Sequence, residues 1–295
     1  MPDGGAMDLL PAPVVVAVGR HGSPTALEHG AEEAMRHHRD LHLVHAAGPD
    51  GDGEAVLAVA VARVSALVGG LVTVTSALVD APPVAAVVEA AVDAGLVVVG
   101  RCPESRRTHP YVRSVTGGVA ARVRAPVVSV PDSWMAGDAP HRVVVGVDDP
   151  DDSEVVLREA FAAAWERDAQ LTVISTWWRP PGSDQRALAQ ISDPAWPERL
   201  QEGIDRALVD LLAAYDEVLV DVHVRNARPG DALIEASHDA ALMVLGRHDP
   251  QLPTGSSLGP VARSVVRESA CPVLLAAPRA AHRVHRRDRS PAQLA

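Results

Sequence analysis

The segment LMVLGR at residues 242–247 decides the fold, because it repeats the segment LVVVGR at residues 96–101. Each copy is a short run of aliphatic residues that ends at a glycine. Such a run is too short for a typical helix and is typical of a buried strand that ends in a turn. Two copies of this strand in one chain predict an internal repeat.

Three more pairs of strand-like segments occur in the same order. They are VVVAVG at 14–19 with VVVGVD at 143–148, LHLVHA at 41–46 with LTVIST at 171–176, and APVVSV at 125–130 with CPVLLA at 271–276. Four matches in one order predict two copies of one unit, at residues 11–131 and 141–278. The wider spacing in the second copy predicts a Trp- and Pro-rich insertion at about 178–200, and the composition of 279–295 predicts a disordered basic tail.

Helical periodicity follows the first strand of each copy, at Leu27, Ala31 and Ala34 and again at Val156 and Ala160. Strands that are apolar on both faces and alternate with helices predict an α/β fold, with a parallel sheet covered on both sides. The last strands, at 127–130 and 273–276, have no following helix to cover them. We therefore expect these two edges to approach each other across a pseudo-two-fold axis.

The composition limits the classes of function. A formal net charge of −11 argues against general affinity for nucleic acid or an anionic membrane surface, because phosphates would be repelled. Only two cysteines occur, without metal-ligand spacing, which favours a reducing compartment and speaks against structural zinc. No basic leader or long apolar run is present, so we expect a cytoplasmic protein.

Three stretches resemble the universal stress protein family in its tandem form: VVVGVDDPDDS at 143–153, GDALIEASHDAALMVLGR at 230–247 and ARSVVRESACPVLLA at 262–276. The resemblance covers nearly the whole chain outside the termini, linker and insertion. It implies two five-stranded open sheets with strand order 3-2-1-4-5, arranged as a pseudo-dimer. It also implies a role in the stress response without established catalysis, and ATP binding in some members.

Nucleotide-binding members of that family carry G-x2-G-x9-G-[ST] after the fourth strand. The second copy has Gly246, Asp249, Gly259 and Pro260 at these positions, and the first has Gly100, Pro103, Arg113 and Ser114. Each copy matches two of the four. Asp249 would place a carboxylate near phosphate, and Pro260 lacks a hydroxyl and a backbone donor, although proline is also favourable at the first position of a helix.

The second copy is the predicted binding half, because Asp148 matches the acidic position that contacts the adenosine part in the family, whereas the first copy has Gly19 there. The predicted nucleotide-binding residues are Val147, Asp148, Gly246, Arg247, Gly259 and Val261, with ATP or another adenine nucleotide as ligand. The alternative is a nucleotide-free protein-interaction module in which both phosphate sites have decayed.

No residue constellation in the sequence points to a catalytic nucleophile or a dedicated metal site, so we expect no enzyme activity. The run Asp148, Asp149, Asp151 and Asp152 is more typical of helix capping than of Mg²⁺ binding. The other expected partner is a second copy of the chain, through the edge strands.

Overall fold

The computed structural model describes residues 11–48, 51–101, 115–135, 137, 140–178, 195–247 and 258–278. Within them the chain forms one ten-stranded sheet with the order β3-β2-β1-β4-β5-β10-β9-β6-β7-β8. The strands are β1 (Val14–Val18), β2 (Leu41–Ala46), β3 (Val74–Val79), β4 (Leu96–Gly100), β5 (Val127–Val130), β6 (Arg142–Val147), β7 (Gln170–Trp177), β8 (Val220–Asn226), β9 (Leu242–Leu245) and β10 (Val273–Leu275). The α/β fold class is confirmed.

Helices cover both faces of this sheet. They are α1 (Pro24–Arg36), α2 (Gly53–Val68), α3 (Pro83–Ala90), α4 (Val115–Ala120), α5 (Glu154–Trp165), α6 (Trp196–Ala214), α7 (Pro229–Ala236) and α8 (Pro260–Glu268). One apolar core lies between the sheet and α1, α2, α5 and α6, and it contains residues of both halves of the chain. A second core lies under α3, α4, α7 and α8.

The two halves of the sheet meet through β5 and β10, which pair antiparallel. Leu274 lies opposite Val128, between the pairs Val273 with Ser129 and Leu275 with Val127. The expected approach of the two edges is confirmed, and each half has the expected order 3-2-1-4-5. Instead of remaining two separate sheets, the halves form one continuous sheet. Both central edges are therefore already used within a single chain and are not available to a second one.

One boundary differs from the sequence-based expectation. The predicted insertion ends at residue 200, but α6 begins at Trp196, so its last five residues belong to a helix whose Leu200 is buried in the core. Residues 179–194 of the insertion and the predicted tail at 279–295 lie outside the described residues. The linker between the halves also contributes to the core, because Trp134 is buried there.

We call residues 11–131 the first unit and residues 141–278 the second unit. Within each unit the strands run parallel. The strand order reverses at β1 in the first unit and at β6 in the second. β6 pairs with β7 on one side and with β9 on the other, so loops after β6 and β9 diverge at its carboxyl end. Ligands of open α/β sheets bind at this kind of switch point.

Candidate functional site

The candidate site lies at the carboxyl ends of β6 and β9. Gly146 is aligned with Leu245 in the register of these two strands, so Val147 and Gly246 follow at the same edge of the sheet. Val147 is buried, which leaves its backbone as the group that faces this edge. Asp148 comes next, and its side chain is exposed. The fold therefore brings the predicted residues Val147, Asp148 and Gly246 to one end of the sheet.

Gly246 lies beside open space. A Cβ atom at this position would meet no atom of the described chain within 4 Å. At the equivalent Gly100 of the first unit, a Cβ would lie 3.3 Å from Cβ and Oγ of Ser23 and 3.4 Å from Cβ of Ala26. Ser23 is held there by its left-handed backbone, with φ 45°, and its hydroxyl accepts a hydrogen bond of 3.0 Å from the Gly19 amide. Among the described residues, the space beside the glycine is thus open in the second unit and filled in the first.

The N-terminus of α8 supplies backbone donors near this edge. Gly259 is the N-cap residue, with φ −61° and ψ 167°, and Pro260 occupies the first helical turn, where its missing N–H would be unpaired in any case. No side chain caps the helix. The carbonyl of Gly259 accepts the first helical hydrogen bond, from the amide of Arg263. The amides of Val261 and Ala262 precede that bond and form the positive end of the helix dipole.

The acidic residues after β6 have two different roles. Asp149 is a capping residue: its carboxylate accepts a hydrogen bond of 3.0 Å from the Asp151 amide, and Ser153 donates from its hydroxyl to the Asp149 carbonyl. Asp148, in contrast, has no hydrogen bond or ion pair within the described part of the chain. Its exposed carboxylate is therefore available to a ligand.

The side chain of Arg247 points away from this edge. It is buried, and its guanidinium donates to the carbonyl oxygens of Ala120 (2.8 Å), Val123 (3.2 Å) and Ala125 (2.8 Å) in the first unit and of Ala276 (2.6 Å) in the second. Burial lowers the pKa of Arg247 to about 10, which still leaves it charged at neutral pH. Only the backbone of Arg247 is left to take part in the predicted site.

Arg101, the equivalent residue of the first unit, makes the reciprocal contact. Its guanidinium donates to the carbonyls of Ser269 (2.7 Å) and Val266 (3.4 Å) at the end of α8. Each arginine thus caps the last helix of the other unit, where helix carbonyls lack intrahelical partners. These two side chains join the units rather than bind a ligand.

Several predicted positions cannot be placed. Asp249 of the second copy and Pro103, Arg113 and Ser114 of the first copy lie outside the described residues. Among the described residues, no group of three or more His, Cys, Asp or Glu side chains is arranged to hold a metal ion. In the same part of the chain, no helix has the length and apolar character needed to cross a bilayer.

Sequence reasoning missed a buried ionic cluster where α1 meets the end of α5. The Glu33 carboxylate accepts hydrogen bonds of 2.5 Å from both Arg36 and Arg167, and His37 lies 3.5 Å away. Burial alone would raise the pKa of Glu33, but Arg167, His37, His29 and Arg36 outweigh it and hold that pKa well below its usual range. The signal in the sequence was the apolar face of α1, which is interrupted by this glutamate.

Comparison with known proteins agrees with this architecture. The model of the universal stress protein family matches residues 140–277. A universal stress protein of Mycobacterium tuberculosis is 28% identical over 291 residues, which cover 89% of this chain and 96% of the relative. A universal stress protein of Mycolicibacterium smegmatis is 31% identical over 198 residues, 65% of each chain.

Solved structures show the same fold. The crystal structure of a universal stress protein from Archaeoglobus fulgidus superposes with a TM-score of 0.62 at 15% identity, covering 89% of this chain and 98% of that one. The family model matches the unit that carries β6, β9 and α8, and the relatives extend the similarity over most of the chain. The second unit is therefore a universal stress protein domain.

Proposed function

We propose that the second unit binds an adenine nucleotide, ATP or a smaller relative, as part of a regulatory or protective role. Similarity to universal stress proteins supports a stress-related role in general. The nucleotide would lie across the carboxyl ends of β6 and β9, against the backbone of Val147, Gly246, Arg247 and Gly259. Asp148 would accept hydrogen bonds from the adenosine part, and the amides of Val261 and Ala262 would face the phosphates.

The observation that carries this proposal is the difference between the two equivalent glycines. No described atom lies within 4 Å of a Cβ built at Gly246, whereas Ser23 and Ala26 fill the space beside Gly100. A phosphate loop needs close approach of bare backbone to the ligand, which glycine permits. The N-terminus of α8, which no described side chain caps, lies at the same end of the sheet, and an anion is favourable there in an otherwise acidic protein.

Isothermal titration of the full chain with ATP, ADP and AMP tests the proposal. The key variant is Gly246→Val, because a Cβ at this position meets no described atom within 4 Å. We expect affinity for ATP to fall at least about tenfold, because the valine occupies space that the ligand needs. The matched control is Gly48→Val in the first unit, where a Cβ also meets nothing within 4 Å.

The control should bind ATP like the unmodified chain. Equal affinity of the Gly246→Val variant and the unmodified chain would contradict the proposed location. Absence of binding to all three nucleotides would favour the nucleotide-free interaction module instead.

A further inference from the structure

The outer strand β3 has unused backbone hydrogen-bonding groups along one side. It pairs with β2 in parallel register, and the amides of Leu41 and Ala47 donate to the carbonyls of Thr73 and Val79. Because successive backbone groups alternate in direction, the groups of Val74, Ser76 and Leu78 point to the opposite side. Within the described residues, no strand pairs with that side.

The edge formed by β3 lacks the usual features that prevent strand pairing. Residues 69–79, with the sequence GGLVTVTSALV, contain no charged residue and no proline. The register with β2 is regular over all six residues, so no bulge interrupts the strand. Leu71 and Leu78 add exposed apolar surface at its two ends. Charges, prolines and bulges are how proteins normally block such an edge.

The opposite edge of the sheet is blocked. β8 carries Asp221, His223 and Arg225 on alternate positions, and they form a chain of contacts: His223 Nε2 lies 2.6 Å from Asp221 Oδ2, and Arg225 lies 2.8 Å from His223 Nδ1. The two outer strands of one sheet therefore differ, although their units repeat. The charged edge makes a head-to-tail filament from β3 to β8 unfavourable.

We propose that β3 pairs antiparallel with β3 of a second copy of this chain, across a two-fold axis at Ser76. In this register Val74 lies opposite Leu78 of the partner and Ser76 opposite the partner's Ser76. The pairing brings no two charges together, because Asp80 lies opposite Val72 rather than opposite Asp80. A second copy is the occupant because the strand is complementary to itself, and a two-fold contact closes after one partner.

The chain already contains a contact of this kind, because β5 and β10 are equivalent edge strands of the two units and pair antiparallel. Pairing through β3 would extend the sheet continuously from one copy into the other. It leaves the candidate nucleotide site free, because β3 lies at the far end of the first unit.

Sedimentation velocity across a dilution series tests the pairing. We expect the unmodified chain to sediment as a dimer, with twice the 31.0 kDa mass of one chain. Ser76→Pro removes an outward amide from each copy and should raise the dissociation constant at least about tenfold. Val222→Pro is the matched control, because Val222 occupies the equivalent outward position of β8. Val222 lies opposite Val173 of β7, just as Ser76 lies opposite Leu43 of β2.

The control should leave the dimer intact. A monomer at every concentration, or equal weakening by both proline variants, would overturn the proposal.

Cysteine cross-linking tests the register of the two strands, and its result does not depend on whether a proline variant folds. In a Cys102→Ser background, Ser76→Cys should form a disulfide between copies under mild oxidation, since opposite Cα atoms in such a pair lie about 5.5 Å apart. Val74→Cys should not, because its symmetry mate lies roughly four residues farther along the strand. Cross-linking of neither variant, or of both equally, would exclude this two-fold axis.

Discussion

Arg247 donates a hydrogen bond of 2.8 Å to the carbonyl oxygen of Ala120, although the two residues belong to different units. Ala120 is the last residue of α4, so the bond satisfies a helix-terminal carbonyl that has no partner within its own helix. Arg101 does the same for the end of α8. The two units are therefore joined by side chains that each unit contributes to the other, in addition to the β5–β10 pairing.

Replacing Arg247 should destabilise the protein more than replacing Arg101. Arg247→Met removes four hydrogen bonds from buried carbonyls, and we expect the free energy of unfolding to fall by about 3 kcal/mol. Arg101→Met removes one short and one long bond and should cost roughly 1 to 2 kcal/mol. Urea unfolding measures both, and Arg142→Met, at the exposed start of β6, is the control, with an expected change within about 0.5 kcal/mol. Equal costs for Arg247 and Arg142 would contradict the bridging role.

The buried carboxylate of Glu33 should be another large contributor. Glu33→Gln leaves the guanidinium groups of Arg36 and Arg167 without their anion, and breaking a buried ion pair costs about 3 kcal/mol. Glu28→Gln is the control, because Glu28 pairs with the largely exposed Arg63 and should cost less than about 1 kcal/mol. A double-mutant cycle with Arg167→Met should show that the two losses are not additive. Additive losses would mean that the two side chains act independently.

The stability of the protein should fall between about pH 6.5 and pH 4 because of His29. Burial lowers the pKa of His29 to about 4, with opposing effects of Glu33 and of the cations Arg36 and Arg167. Neither ring nitrogen has a hydrogen-bond partner among the described residues, and the ring packs edge-on against Trp134 with centroids 5.1 Å apart. The unfolded chain binds a proton in this window and the folded chain does not, so acid favours unfolding by up to about 3 kcal/mol.

Chemical unfolding of the His29→Phe variant at several pH values measures this effect. The variant should lose the dependence between pH 6.5 and 4 and keep the steeper loss at lower pH. That remaining loss comes from Glu33, whose folded pKa is depressed, so its contribution is present above about pH 4.5 and disappears as the carboxylate is protonated. An unchanged profile between pH 6.5 and 4 would assign that dependence to another group.

Restoring the family's phosphate motif should strengthen nucleotide binding, given the proposed function. Asp249→Gly with Pro260→Ser removes one like charge and returns a backbone donor and a hydroxyl at the start of α8. Hydrogen bonds of this kind contribute about 1 kcal/mol each, so affinity for ATP should rise at least about tenfold and the gain should be smaller for AMP.

The control for this double variant is Pro229→Ser, a proline in the first turn of α7. It should leave the affinity for ATP unchanged. Titration calorimetry decides the outcome, and an unchanged affinity in the double variant would mean that the site is built differently from the motif.

The alternation of strands and helices could be predicted because the chain shows the same pattern twice, and the resemblance to universal stress proteins implied the strand order within each unit. The roles of Arg247 and Glu33 could not. Three of the four carbonyls that Arg247 reaches belong to the end of α4 and the turn after it, and the direction of these backbone groups cannot be read from the residue types. Glu33 and Arg36 have the spacing of an ordinary surface ion pair on a helix. Arg167 lies far away in the sequence and turns this pair into a buried contact between the units. Its position beside Glu33 follows from tertiary packing alone.

The difference between Gly100 and Gly246 was also hidden, because both are glycines at the same motif position. The side chains of Ser23, whose backbone is left-handed, and of Ala26 fill the space beside Gly100. Asp148 was the feature from which the sequence predicts the second unit as the binding half, and this stays a prediction.

Because each arginine caps a helix of the other unit, a ligand bound to one unit would also stabilise parts of the other unit. A nucleotide held only by the second unit would stabilise the end of α4 through Arg247 and the strand β5 through β10, neither of which it touches. Removing one unit would uncap the last helix of the other and expose its central strand. We therefore expect the two units to unfold in one cooperative transition. Slower amide exchange in β4 and β5, on addition of a ligand that contacts neither strand, would be the signature of that sharing.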